Sequence, residues 1–289
     1  MRDSLLDDYA AFLRARGLAE QSVRCYLGQT RAFVAWYERE RGPFRVDSVA
    51  RLDVADYRRH LQDAGRKPAT VNLVLVVLTS FFNWAVGEGL APANPAVGVK
   101  RVPEQVPGPR WLDREAVRAL LAAASAHGPL RDRVLISVML HTGLRVSEVC
   151  GLRLDDLELR DHTGRLRVRR GKGGKYREVP LNSAVRRVLQ EYLASHPGGP
   201  WLFFSRQRTR LSVRSAERIV SRYARLAGLE GVTAHALRHT FCKMLVDAGE
   251  SLDRVATLAG HANLTTTARY TRPSMTDLER AVGKLTWDL

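Results

Sequence analysis

Cysteine is scarce in this chain: Cys25, Cys150 and Cys242 are three in 289 residues, odd in number and far apart. No pair has the short spacing of a zinc site, and an odd, scattered set does not make a disulfide framework. Each falls in apolar-periodic sequence, which reads as a buried free thiol. Long apolar runs are lacking too, with no stretch reaching the ~18 residues that a membrane span needs. The opening MRDSLLDDYAAFLRARG is amphipathic and acidic early, unlike a secretory signal. A cytoplasmic protein with no membrane association is expected. Internal repeats and low-complexity segments are not seen.

Acidic residues are also in deficit. Asp and Glu number 30 against 46 Lys and Arg, a net charge of +16. Residues 1–110 hold 16 basic and 12 acidic side chains (+4), and residues 111–289 hold 30 and 18 (+12). Such an excess attracts polyanions, and its lopsidedness puts the main electrostatic footprint in the C-terminal part. Nucleic-acid binding is the favoured reading.

At 45% hydrophobic residues, 289 positions suffice for two modest domains. The first hundred residues read as four helices: a segment ending at Gly17, then Glu20 to Glu40, Val54 to Ala64, and Pro68 to Gly87. The last, VNLVLVVLTSFFNWAV, is apolar nearly all round, as suits the central helix of a small bundle. Residues 89–110 hold five prolines and three glycines. That stretch breaks any helix and marks a linker, with the boundary near 101–110. Residues 1–100 and 111–289 then form separate domains.

The second domain opens with Asp113 capping a helix, followed by helices from Leu130 and near Val146. Then the period changes from helical to alternating. RLRVRRGKGGKYREVPL is apolar and basic by turns around a Gly-rich centre, the pattern of a β-hairpin, and Leu157–Leu159 adds a short strand. Helices resume near 183–195, 213–227, 234–248, 251–259 and 264–270. The architecture expected is mainly α with a small antiparallel sheet.

The chemistry-bearing residues gather in the C-terminal part. Arg145, in HTGLR, starts a helix just past a Gly turn, and Glu148, one turn on, can hold its guanidinium. Lys172 sits among glycines in the hairpin turn, where a mobile ammonium can donate a proton to a leaving oxygen; Lys175 competes for that role. Seven basic and no acidic residues occur from Arg165 to Arg177. Arg214, Arg218, Arg222 and Arg225 make a basic stripe fit to follow a DNA backbone or to enter a major groove. Lys175, Arg177, Arg214, Arg218 and Arg222 are the candidate DNA contacts. His235 and Arg238 in HALRH share a helix face, while His239 reads as a packing or structural residue. The HExxH glutamate is absent, and a cation on that face opposes metal binding, so no metal is expected there, and a covalent phosphate ester that conserves the bond energy would need no cofactor. His261 follows Gly260, a helix stop, and Tyr270 closes the next short helix. A tyrosine with two imidazoles and a guanidinium suggests attack on phosphate, because arginine forks match phosphate oxygens and tyrosine can carry a covalent ester.

HTGLRVSEVCGLRLDDL, RRGKGGKYREVPL, HALRHTFCKMLVDAGESLDRVATLAGHANLTTTARY and the four-helix leader together resemble the tyrosine recombinases, the phage-integrase family, and the Xer-type members most closely. The resemblance spans essentially the whole chain and rests on four ordered motifs. It implies an N-terminal SAM-like core-binding domain and a mixed α/β catalytic domain of the DNA breaking–rejoining fold, clamping duplex DNA. It assigns Arg145, Lys172, His235, Arg238, His261 and Tyr270 to the family's six-residue site. Tyr270 would attack the scissile phosphate to leave a 3′-phosphotyrosyl link, Arg145, Arg238 and His261 would stabilise the charge, His235 would take the tyrosyl proton, and Lys172 would protonate the 5′-oxygen. Exchange between two duplexes through a Holliday junction implies a homotetramer, or a heterotetramer with a second recombinase, joined by exchange of the tail 271–289. Chromosome-dimer resolution and mobile-element recombination are the biological roles implied. Two other readings are type IB topoisomerase-like relaxation and a non-catalytic DNA-binding accessory protein.

Overall fold

The computed structural model describes residues 2–104, 110–169, 176–261, 263–271, 279, 282 and 283. The chain forms two compact units, Met1–Val106 and Pro107–Leu289.

In the first unit the apolar periodicity produces α1 (Arg2–Ala15), α2 (Glu20–Arg41), α3 (Arg51–Asp63) and α4 (Pro68–Gly87). Pro68 opens α4, where its fixed φ suits a first turn whose N–H needs no helical partner. Half of this 20-residue helix is buried, ten residues from Val71 to Ala85. By length and composition α4 could cross a membrane, contrary to the expectation that no stretch is long enough. Asn72, Thr79, Ser80 and Asn83 interrupt its apolar run without lowering its mean hydropathy below that of a span. Its buried half packs inside the unit, as in the core helix of a soluble protein. Tyr9, Phe33, Phe81 and Phe82 fill that core, with Phe33 meeting Tyr57 edge-on at 5.2 Å. The proline-rich segment then doubles back on α4. Asn72 donates to the Val102 carbonyl at 2.9 Å and accepts from the Val102 N–H at 2.8 Å.

The second unit is built round α6 (Leu130–Thr142), in which every residue from Val134 to Leu140 is buried. Against it pack α5 (Arg114–His127), α8 (Ser183–Ala194), α9 (Val213–Leu226) and α10 (Ala234–Asp247). Asp113 caps α5 by accepting from the Ala116 N–H at 2.7 Å, a contact worth ~1 kcal/mol in typical helices. The short α7 (Val146–Cys150) leads to β1 (Leu157–Leu159), β2 (Gly164–Val168) and β3 (Arg177–Pro180), an antiparallel sheet in the order β1-β2-β3. Its register sets Leu157 opposite Leu166 and Leu166 opposite Val179, so one face is apolar. Arg165 bridges Glu158 and Glu178 on the other. Then α11 (Leu252–Ala259) and α12 (Leu264–Ala268) run into a 3₁₀ turn, Arg269–Thr271. Between α8 and α9 the chain is irregular, anchored by isolated bridges Arg153–Trp201 and Phe204–Arg210 that no periodicity announced. Cys150 and Cys242 are buried, whereas Cys25 is only half-buried, and none is in a disulfide.

Candidate active site

The site begins where α6 stops. Gly143 takes a left-handed φ of 60°, and a Cβ there would lie 2.2 Å from the Phe241 ring, so only glycine lets α10 sit on the turn. Two residues on, the Arg145 N–H donates to Glu148 Oε2 at 2.8 Å, closing the first turn of α7. The Arg145 side chain continues the pattern, donating from Nη1 to Glu148 Oε1 at 3.0 Å and from Nη2 to the Gly260 carbonyl at 2.9 Å. The i,i+3 pair expected from LRxxE is formed.

Glu148 serves a second arginine as well. Arg177, at the head of β3, donates to both carboxylate oxygens at 3.0 and 2.8 Å, and from Nε to the Leu258 carbonyl at 3.2 Å. Burial pushes the Glu148 carboxyl up, but the hydrogen bonds from Arg177 and the Arg145 backbone, with both charges, hold it below its ordinary value. Arg177, a candidate DNA contact in the sequence, has its fork on a buried carboxylate instead.

Arg238 lies on α10 with 2% of its surface exposed. Nη1 donates to the Gly143 carbonyl at 2.6 Å, while Nη2 is buried with no hydrogen-bond partner. Burial, then the neighbouring charge of Arg145, lower its pKa to about 10. A buried guanidinium with an unsatisfied N–H is costly unless an anion is meant to meet it. An oxyanion would answer both the spare donor and the crowding of positive charge.

The imidazoles and the tyrosine form the other half. Gly260 closes α11 in the left-handed region at φ 68°, which turns the chain so that His261 follows directly. His261 Nδ1 is 2.8 Å from the buried Thr267 hydroxyl, and its ring stacks on Tyr270 with centroids 6.3 Å apart. Tyr270 is 1% exposed, packed among Phe241, Cys242, Val255 and Ala259. Its hydroxyl lies 2.5 Å from Nδ1 of His239, whose ring meets that of His235 at 4.2 Å. His239, read from sequence as a residue that packs or hydrogen-bonds structurally, holds the hydroxyl of the candidate nucleophile. The signal was available, since His235 and His239 are four apart on one face of α10.

The structure thus gathers Arg145 and Arg238 in one cluster and His235, His239, His261 and Tyr270 in another. Gly260 joins them, holding Arg145 by its carbonyl and preceding His261. Lys172 and Lys175 lie outside the described residues, as does most of the tail 271–289. Arg214, Arg218, Arg222 and Arg225 are all exposed on α9, as a backbone-tracking stripe needs; Leu226, expected on its buried side, is half exposed. Among the described residues no group of three or more His, Cys, Asp or Glu could hold a metal ion.

Residues 110–277 match the Phage integrase family, and residues 5–91 match Phage integrase, N-terminal SAM-like domain. Tyrosine recombinase XerD of Bifidobacterium longum is 34% identical over 277 residues, 90% of this chain and 89% of that one. Tyrosine recombinase XerC of Rhodospirillum centenum is 37% identical over 272 residues, 89% and 78% of the two. Among solved structures, XerH site-specific recombinase bound to a palindromic difH substrate superposes with a TM-score of 0.78 at 23% identity, covering 96% of this chain and 83% of that one. A lambda integrase dimer bound to a COC′ core site gives 0.77 at 22%, covering 94% and 97%.

Proposed function

The chain belongs to the phage integrase family, with Xer-type tyrosine recombinases as relatives over most of its length, and from that premise we propose that it is a site-specific tyrosine recombinase. It is a DNA strand-transferring enzyme whose second unit carries the chemistry and whose first unit grips the duplex. The observation that carries the reading is the buried Arg238 Nη2, an unsatisfied donor beside Arg145 and next in sequence to His239, which meets the Tyr270 hydroxyl.

In this reading the scissile phosphate is neutralised by Arg145, Arg238 and His261, fixed donors that need no reorganisation as charge builds. Tyr270 Oη forms a bond to phosphorus as the bond to the 5′-oxygen breaks. The tyrosyl proton leaves to the His235–His239 pair, and Lys172 supplies the proton for the departing oxygen, with Lys175 as the competing donor. Each such proton transfer typically contributes ~10²- to 10⁴-fold. Because Tyr270 is buried, its hydroxyl must leave His239 before a phosphate can reach it. The phosphotyrosyl ester conserves the bond energy, so a 5′-hydroxyl from a second duplex can attack it and build a Holliday junction. That exchange assembles four protomers on two sites, linked through residues 271–289, in the cytoplasm. Dimer resolution or mobile-element recombination is the task such chemistry serves.

A nicked suicide duplex carrying the recognised site tests this directly. The protein should form a covalent adduct in EDTA, and Tyr270→Phe should bind equally well and form none. An adduct with Tyr270→Phe refutes the nucleophile. Lys172→Ala should cleave poorly on ordinary DNA and recover on a 5′-bridging phosphorothiolate, whose sulfur leaves without a proton; recovery with Lys175→Ala instead would move the acid there. Relaxation of supercoils with no strand exchange between duplexes would favour the topoisomerase-like reading.

A further inference from the structure

Arg177 is the more enclosed of the two arginines paired with Glu148, with 12% of its side chain exposed against 26% for Arg145. Its three side-chain hydrogen bonds tie together three separate elements. It begins β3, its fork lies on Glu148 of α7, and Nε reaches the carbonyl of Leu258 near the end of α11. Arg145 takes the next available carbonyl of that same helix end, Gly260. The two guanidiniums therefore cap α11, whose last carbonyls have no helical partner. The fit is close: a Cβ on Gly260 would come within 2.8 Å of Cζ and Nη1 of Arg177.

We propose that Arg177 is a positioning residue for strand cleavage, which shares Glu148 with Arg145 so that Arg145 faces the phosphate, and which fixes the end of α11 that presents His261. This rests on the recombinase reading above and departs from a role for Arg177 on the DNA backbone. The physical reason is one of charge and direction. With both oxygens of Glu148 engaged by Arg177, the carboxylate holds Arg145 through one terminal nitrogen only and leaves the other for Gly260. Removing Arg177 gives the whole carboxylate to Arg145, which then closes on it as a two-point fork and swings off Gly260. The phosphate loses a correctly aimed cation while the binding surface for DNA is untouched. Arg177 also stands five residues after Lys172, so it anchors the strand that follows the proposed general acid.

The test compares full-length protein and Arg177→Met in single-turnover cleavage of the suicide duplex, with a phosphodiester or a methylphosphonate at the scissile position. A methylphosphonate carries no charge there and makes little demand on Arg145. Arg177→Met should cleave the phosphodiester ~10²-fold more slowly, the size expected of an ångström-scale misplacement, and recover most of that loss on the methylphosphonate. Its slope of log affinity against log salt should equal that of the unaltered protein. Unchanged cleavage, or an equal loss on both substrates, overturns the proposal. So does a slope shallower by about 0.9, which would return Arg177 to a phosphate contact. Gly260→Ala provides the second variant if Arg177→Met does not fold: it keeps every charge, crowds the same guanidinium, and should show the same recovery with a smaller loss. An adduct formed by Tyr270→Phe would sink the recombinase reading itself, and that outcome is separate from any result at Arg177.

Discussion

Glu148 is the residue on which the arginine cluster depends, because it is the buried carboxylate to which the part-buried Arg145 and Arg177 are both bonded. Removing one partner of a buried ion pair typically costs ~3–5 kcal/mol, since the other charges stay behind in low dielectric. Glu148→Gln should therefore destabilise the protein by that order at pH 7. The pH dependence has a definite sign. The folded carboxyl titrates below its ordinary value, so its stabilisation is present above the unfolded pKa, near 4.3, and is lost as pH falls through the folded one. Chemical denaturation of the two forms should give curves that converge below about pH 4; a difference that persists undiminished in acid would remove the ion pairs as its cause. The thiols make a second case at this scale. Burial raises Cys150 to about 11 and pushes Cys242 upward, while Cys25 is half-buried. Maleimide labelling of native protein should modify Cys25 and reach the other two only on unfolding.

At the scale of elements, the turn between α6 and α7 shows what pattern can and cannot reveal. HTGLR announces a stop and a restart, and periodicity placed nearly every helix within a few residues of its observed ends. The signal is strong because each helix buries one stripe, repeated over several turns. The reason Gly143 must be glycine is long-range, however, and no local pattern carries it: the Phe241 ring comes from α10, about a hundred residues away. Gly143→Ala should cost ~2–4 kcal/mol, from left-handed strain and the clash together, and should slow cleavage by misplacing Arg145. A melting temperature equal to that of the unaltered protein would contradict the packing argument. The same limit explains why the partner of His239 could not be named from sequence. Its i,i+4 spacing from His235 was plain, but the partner that gives it meaning, Tyr270, is brought in by α11 and α12. The bridges of Trp201 and Phe204 were hidden for a related reason, being single pairings with no period.

For the whole molecule, the charge distribution divides between arginines held in ion pairs and arginines facing outward. The +12 of residues 111–289 is partly consumed, since Arg145, Arg177 and Arg238 are committed to the candidate site, and Arg165 and Arg167 pair with Glu158 and Glu178 on the solvent face of the sheet. What remains outward includes the stripe on α9, where Arg214, Arg218 and Arg222 are exposed. Composition alone could not separate these populations, because an arginine in a fork and one in water count equally. Exposed arginines in a row supply counterion release with little contribution to chemistry, so their loss should appear in binding alone. Replacing all three by Gln should make the slope of log affinity against log salt shallower by up to ~2.7, or ~0.9 for each phosphate no longer neutralised. The Arg222 guanidinium lies 5.5 Å over the Tyr223 ring, and a share of it held there would bring the change below that ceiling. Cleavage of DNA already bound, measured at saturating protein, should stay within a few-fold of the unaltered rate. An unchanged slope would place the DNA on another face of the second unit, and a slope change with a collapsed cleavage rate would show that α9 also sets the register of the phosphate in the site.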